Sequence, residues 1–177
     1  MAFSAVLVFN SPSASGIPAP QGESLMIAGG IELGDSWNFS LENKLDISHR
    51  TTGAGAGKAE FQEFTVKKAV DKASPLLFLA CGAGATYDNV NLILRKATGA
   101  SDGSTGINYL QWTFNMFAVE KIEWSYGDPF CEENVTFKFG ACQIQYFQQL
   151  GTTNQLTKIT PQQWSQVVNA SSLSVGS

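Results

Sequence analysis

The chain has little of what most chemistry needs. It carries one histidine, His49, and three cysteines, Cys81, Cys131 and Cys142, in 177 residues. The cysteines are odd in number and show no CxxC spacing, which argues against a disulfide framework or a zinc site. Cys131 and Cys142 could meet across a bend, but pairing is not the expectation. A Ser–His or Cys–His mechanism would have to use His49, which stands in a glycine-rich segment unsuited to fixed catalytic geometry. Charged residues make up 15% of the chain, below the roughly one quarter of a typical soluble domain. The net charge of −4 lacks the basic excess of a nucleic-acid binder. No run approaches the roughly 20 apolar residues of a membrane span. The start, MAFSAVLVFNSPS, has no basic segment before its short apolar run, so a cleaved secretory signal is not expected. The expectation is synthesis in the cytoplasm, with export by a route that cleaves no signal peptide, and with no cofactor, nucleic acid or membrane insertion.

Two glycine-rich segments fail as nucleotide loops. GAGAGK at 53–58 has Thr52 where a phosphate loop needs its first glycine, and Ala59 where it needs Ser or Thr. The run from Gly82 to Tyr87 ends in tyrosine where the dinucleotide fingerprint needs a small residue. Asp71, Asp88, Asp128, Glu132 and Glu133 fall at expected element ends and read as caps and solvated groups. No catalytic set is assembled from these residues.

Strand signals dominate what is present. Phe3 to Phe9 is an apolar, β-branched and aromatic run that reads as a buried strand. Residues 10–30 hold repeated Pro and Gly and read as a long loop. Trp37, Phe39 and Leu41 alternate with polar residues. Residues 43–58, with alternating Gly and Ala at their end, read as a long exposed arm. Glu60 to Lys68 is expected as a strand, and so is the segment carrying Val90, Leu92 and Leu94. Leu110 to Met116 and Ile122 to Tyr126 share one parity, interrupted at Glu120. They read as one long bent strand or as two strands of one sheet. From Glu132 to Tyr146 the apolar parity switches from odd (Val135, Phe137, Phe139) to even (Cys142, Ile144, Tyr146). Such a switch requires a bulge or kink, and Gly140 is the natural place for it. Long strands that bend and change partners are what closes a sheet into a barrel. Trp37, Trp112 and Phe114 are expected in the core, whereas Trp124 and Phe117 are candidates for an exposed aromatic face.

One helix is expected. Ser74 reads as its N-cap, Pro75 as its first residue and Gly82 as its left-handed stop. Leu76 to Cys81 are apolar on every side, so this helix requires cover from the body or from another subunit. After Gln148 the chain becomes rich in Gln, Thr, Ser and Asn. Thr160-Pro161 reads as the start of a short helix carrying Trp164, Val167 and Val168, on a tail appended to the body.

These residues carry a resemblance. The segments Glu63-Phe-Thr-Val-Lys-Lys, Val70-Asp-Lys-Ala-Ser-Pro-Leu-Leu-Phe-Leu-Ala-Cys-Gly, Val90 to Lys96 with Ala97 after it, Tyr109-Leu and Glu133-Asn-Val-Thr-Phe-Lys-Phe-Gly with Tyr146 occur in an order similar to that of the Hcp family. This family is the tube protein of bacterial type VI secretion systems. The resemblance implies a mainly β fold, a closed β-barrel of two packed antiparallel sheets with one short flanking α-helix. It divides the chain into a barrel at 1–147 and a polar extension at 148–177. It implies a structural role rather than an enzymatic one: hexameric rings that stack into a tube, expelled by a contractile sheath with its spike and carrying effector proteins. The arm is then a ring-stacking element, with His49, Arg50, Thr51, Thr52, Gly53, Gly55, Gly57 and Lys58 as its residues. Lys67, Lys68, Leu76, Phe78, Arg95 and Lys96 become candidates for the contact between subunits. The readings that compete with this one are a carbohydrate-binding β-sandwich and a small secreted enzyme using His49.

Overall fold

The structure, a computed structural model, describes residues 3–33, 36–45, 57–96, 106–127, 129–149 and 156–176. Most of them lie in strands. These are β1 (Phe3–Phe9), β2 (Ile31–Leu33), β3 (Trp37–Asn38), β4 (Leu41–Asn43), β5 (Ala59–Phe61), β6 (Phe64–Ala69), β7 (Thr86–Tyr87), β8 (Val90–Lys96), β9 (Ile107–Asn115), β10 (Phe117–Gly127), β11 (Phe130–Lys138), β12 (Ala141–Gln149), β13 (Leu156–Lys158) and β14 (Gln162–Ser165). Helix α1 spans Ser74–Ala83.

The strands form two large antiparallel sheets. One has the order β13-β12-β9-β8-β1-β2, with β14 also paired to β12; the other has the order β3-β6-β11-β10-β7. Strands β4 and β5 make a separate hairpin. Among the described residues no ladder joins the two large sheets. The expected closed barrel is therefore two packed sheets at the level of hydrogen bonding. Short strands stand at these edges, two residues each in β3 and β7 and three in β2, and each spends its ladder on its own sheet: β2 on β1, β3 on β6 and β7 on β10.

The chain passes between the sheets at sharp corners. Strands β9 and β10 lie in different sheets, separated by Met116 at φ 52°. They are thus two strands of two sheets. Glu120 is skipped in the β10–β11 register, which is the bulge that interrupts the parity. Strands β11 and β12 change sheets at Phe139-Gly140, where the switch of apolar parity requires it. A third corner at Asp88-Asn89 separates β7 from β8, with Asn89 at φ 55°. The corners are stitched together. Asp88 Oδ1 accepts the Met116 N–H at 2.8 Å. Asn115 Oδ1 accepts the Asn89 N–H at 3.0 Å, and the Asn115 carbonyl accepts the Gly140 N–H at 3.1 Å. A bulky residue at positive φ is uncommon whereas Asn tolerates it, and these bonds hold Met116 and Asn89 there.

Inward-facing aromatics fill the space between the sheets. Phe64, Phe114, Phe117 and Phe137 are fully buried. Phe117 meets Phe137 and Phe114 meets Phe139, each at 4.7 Å between ring centroids. Phe39 closes the open side, edge-on to Trp112 at 5.5 Å. Phe117 is therefore core and leaves the list of exposed aromatic candidates.

The tail differs from its expectation. Strands β13 and β14 extend the edge of β12, and Trp164 lies opposite Cys142 in a strand, not on a helix. Pairing with an available sheet edge decides the conformation of this polar segment, which its composition does not reveal. Strand β12 itself runs to Gln149, across the 147/148 boundary.

Candidate assembly surface

Helix α1 begins on a buried polar cluster. Lys68, on β6, is 5% exposed and Glu133, opposite it on β11, is 0% exposed. The Lys68 ammonium lies 2.7 Å from Glu133 Oε1 and 2.8 Å from Asp71 Oδ1. Ser74 Oγ donates to Glu133 Oε1 at 2.8 Å and accepts the Asp71 N–H at 3.0 Å. Trp124 Nε1 donates to Glu133 Oε2 at 3.0 Å. Ser74 is thus a helical residue turned inward and not the N-cap; Ala73 holds that position without a side-chain cap bond. Asp71 acts in its place, accepting the Ala73 N–H at 3.0 Å. The helix continues through Gly82 and stops at Gly84, φ 62°, whose left-handed conformation suits glycine.

The cluster fixes which side of α1 faces out. Leu77 and Ala80 are buried against the sheet, while Phe78 is 63% and Leu79 48% exposed. Trp124, Tyr126 and Cys131 share the face of Ile122 and Val135, which points into the core. The β10–β11 hairpin runs past its own cover, so this face is uncovered: Trp124 is 48% and Tyr126 85% exposed. The Phe78 and Trp124 rings stand 6.1 Å apart. On the other sheet, Ile144 and Tyr146 share the face of Cys142 and are also about half exposed. Contiguous exposed apolar surface of this kind marks interaction sites.

The remaining candidates are dispersed. Lys67 is exposed and pairs with Glu132 at 2.7 Å. Lys68 is not at a rim: the alternation of β6 sends Lys67 outward and Lys68 inward. Leu76 is half-buried. The guanidinium of Arg95 donates to the Met26 and Gly106 carbonyls at 2.7 and 2.8 Å, clamping the 10–30 loop. The Lys96 ammonium lies 5.6 Å from the Tyr109 ring centroid. At the arm, Lys58 is exposed and Gly57 packs against the Lys44 carbonyl, where a Cβ has no room. His49, Arg50, Thr51, Thr52, Gly53 and Gly55 lie outside the described residues. Tyr126 and the tail were missed at the sequence level. The parity that finds Trp124 also finds Tyr126, but nothing local says that the sheet outruns its cover.

Chemistry is sparse on this surface. Among the described residues no group of three or more His, Cys, Asp or Glu side chains is gathered for a metal ion, and no helix is long and apolar enough to cross a membrane. Glu120, hydrogen-bonded to Lys138, raises the pKa of that lysine and keeps it cationic. All three cysteines are free thiols.

A family model described as type VI secretion system effector, Hcp, matches residues 28–146. The chain belongs to the Hcp family. A curated Hcp relative, Protein hcp1 of Pseudomonas aeruginosa, is 33% identical over 91 residues, which are 50% of this chain and 54% of that protein. The match thus spans about half the length of that relative. Among solved structures, one described as a type six secretion system protein superposes with a TM-score of 0.77 at 22% identity, covering 97% of this chain and 100% of that one. Hcp1 from Salmonella typhimurium gives a TM-score of 0.67 at 23% identity, covering 97% and 99%. At such identities the likeness is one of fold: mainly β with one short helix. It extends through the tail, whereas the Hcp family match ends at Tyr146.

Proposed function

We propose that this chain is a structural subunit of a type VI secretion tube and not an enzyme. Six copies close into a ring, and rings stack. The observation that carries this reading is the Hcp match over residues 28–146; the uncovered core face at Phe78, Trp124 and Tyr126 supports it. In a ring of identical subunits each copy presents one surface to a different surface of the next, and the contact repeats until the rotation closes. The uncovered apolar face supplies such a surface, and Lys67 and Lys96, which lie on different sheets, would belong to other parts of the contact. Closure of the two sheets into one barrel belongs to this reading, across the seam between β2 and β3. The arm at 43–58 contacts the neighbouring ring. Contractile sheath, spike and effector proteins are the further partners, and the chain is exported with the tube.

Negative-stain images of the purified chain test the proposal. End-on views of six-fold rings and side-on views of stacked rings are expected. Monomers alone at high concentration would overturn it.

A further inference from the structure

Gln166 links the tail to the root of the arm. It follows β14 and meets two segments far from it in sequence. Its backbone N–H donates to the Gly140 carbonyl at 3.0 Å. Its side-chain Nε2 donates to the Phe139 carbonyl at 2.8 Å. Its Oε1 accepts the Phe61 N–H at 2.8 Å. Phe139 and Gly140 form the corner between β11 and β12, which the Asn115 carbonyl holds through the Gly140 N–H. Phe61 ends β5 and lies opposite Leu41 of β4. One side chain therefore joins a fixed corner to the hairpin between whose strands the arm runs.

That hairpin needs an anchor. Strands β4 and β5 pair with each other and with neither large sheet, and an isolated two-stranded ribbon is marginally stable in water. The Phe61 ring packs on Phe139 at 4.8 Å between centroids. Apolar contact of this kind is non-directional and holds the hairpin down without fixing its angle. The Gln166 bonds are directional and reach corner and hairpin from a single amide group.

We propose that Gln166 is a positioning residue: it sets the angle at which the β4–β5 hairpin leaves the body, and through it the geometry of ring stacking. The tail beyond the family match is then a clasp for the arm. This inference rests on the tube reading above.

The test uses full-length Q166A and Q166M, with backbone amide hydrogen exchange and electron microscopy. Loss of one hydrogen bond predicts roughly tenfold faster exchange at the Phe61 amide, with the Val66 and Val135 amides unchanged. Rings are expected to form while stacked tubes become shorter or disappear. Q166E keeps an acceptor for the Phe61 N–H but sets a carboxylate oxygen against the Phe139 carbonyl, so it too is expected to lose the link between corner and hairpin. Unchanged Phe61 exchange in Q166A and Q166M would overturn the clasp. Lost protection with tubes as long as those of the wild type would overturn the positioning role. If the wild-type chain forms no rings, the tube reading fails by itself, and Phe61 exchange alone decides the clasp.

Discussion

The Lys68 ammonium and the Glu133 carboxylate lie 2.7 Å apart with side-chain exposures of 2% and 0%. Asp71, Ser74 and Trp124 complete the shell around them. Breaking a buried ion pair from one side leaves an uncompensated charge, at a cost of about 3 to 5 kcal/mol. Lys68→Ala, which leaves the buried Glu133 without its cation, is expected to destabilise the fold by that amount in urea unfolding, whereas in Glu133→Ala the ammonium keeps Asp71 as a partner and the loss should be smaller. Glu132→Ala, which breaks the half-exposed pair with Lys67, is expected to cost about 1 kcal/mol or less. Equal losses in Lys68→Ala and Glu132→Ala would show that burial of Glu133 is not what matters.

Gly140 has no room for a side chain. A Cβ there would meet Val167 Cγ2 at 2.9 Å, Val175 Cγ1 at 3.1 Å and Met116 Cβ at 3.2 Å. Two of these contacts come from the tail. Gly140→Ala is expected to cost about 1 to 3 kcal/mol through overpacking. Removing residues 167–177 takes those two contacts away, so the combined variant should lose less than the sum of the separate losses. Strict additivity would place the strain elsewhere.

Parts of this architecture are written locally. The parity switch at Gly140 and the interruption at Glu120 are visible because strand alternation has a fixed period. The helix ends are less legible. Ser74-Pro75 has the form of a start signal, but Glu133, 59 positions away, draws the serine inward. Gly82 and Gly84 are both able to stop the helix, and the turn at Gly84 decides between them. Glu133 reads as a solvated carboxylate because its partner Lys68 is brought to it by strand pairing. The tail strands take their structure from the β12 edge, and no local pattern in Gln, Thr and Ser encodes it. The exposure of Phe78 and Trp124 is anticipated in the sequence, but that of Tyr126 is not, because only the end of the cover above the β10–β11 hairpin leaves it open.

Phe78 separates assembly from folding. Its ring is 63% exposed, so Phe78→Ser is expected to change the stability of the isolated subunit by about 0.5 kcal/mol or less. If the surface is a subunit contact, the same change should shift ring formation to higher concentration in analytical ultracentrifugation. Normal assembly by this variant would remove α1 from the contact.

If the arm is a ring-stacking element, its removal separates stacking from ring closure. Deleting Thr51 to Gly57 is expected to leave six-membered rings intact and to impair their stacking. Ordering a glycine-rich segment opposes contact between rings through lost backbone freedom, so this contact should be weaker than ring closure. Tubes of wild-type length from the deletion variant would contradict the assignment.

Cys142 predicts an alkaline limit to stability. Burial pushes its thiol from 9.0 up to about 12. The neutral thiol is the form the fold accepts, so the folded chain holds this proton more tightly than the unfolded chain. The resulting stabilisation is complete below pH 9 and is lost as pH rises toward 12. Within that window the loss approaches about 1.4 kcal/mol per pH unit. Cys142→Ala should flatten the fall of stability between pH 9 and 11 measured in urea, at the cost of a small cavity. Thiol labelling at pH 8 gives a second reading, because only thiolate reacts: Cys81 and Cys131, both partly exposed, should be modified in the native chain, and Cys142 only after unfolding. Rapid native labelling of Cys142 would place its sulfur in contact with water.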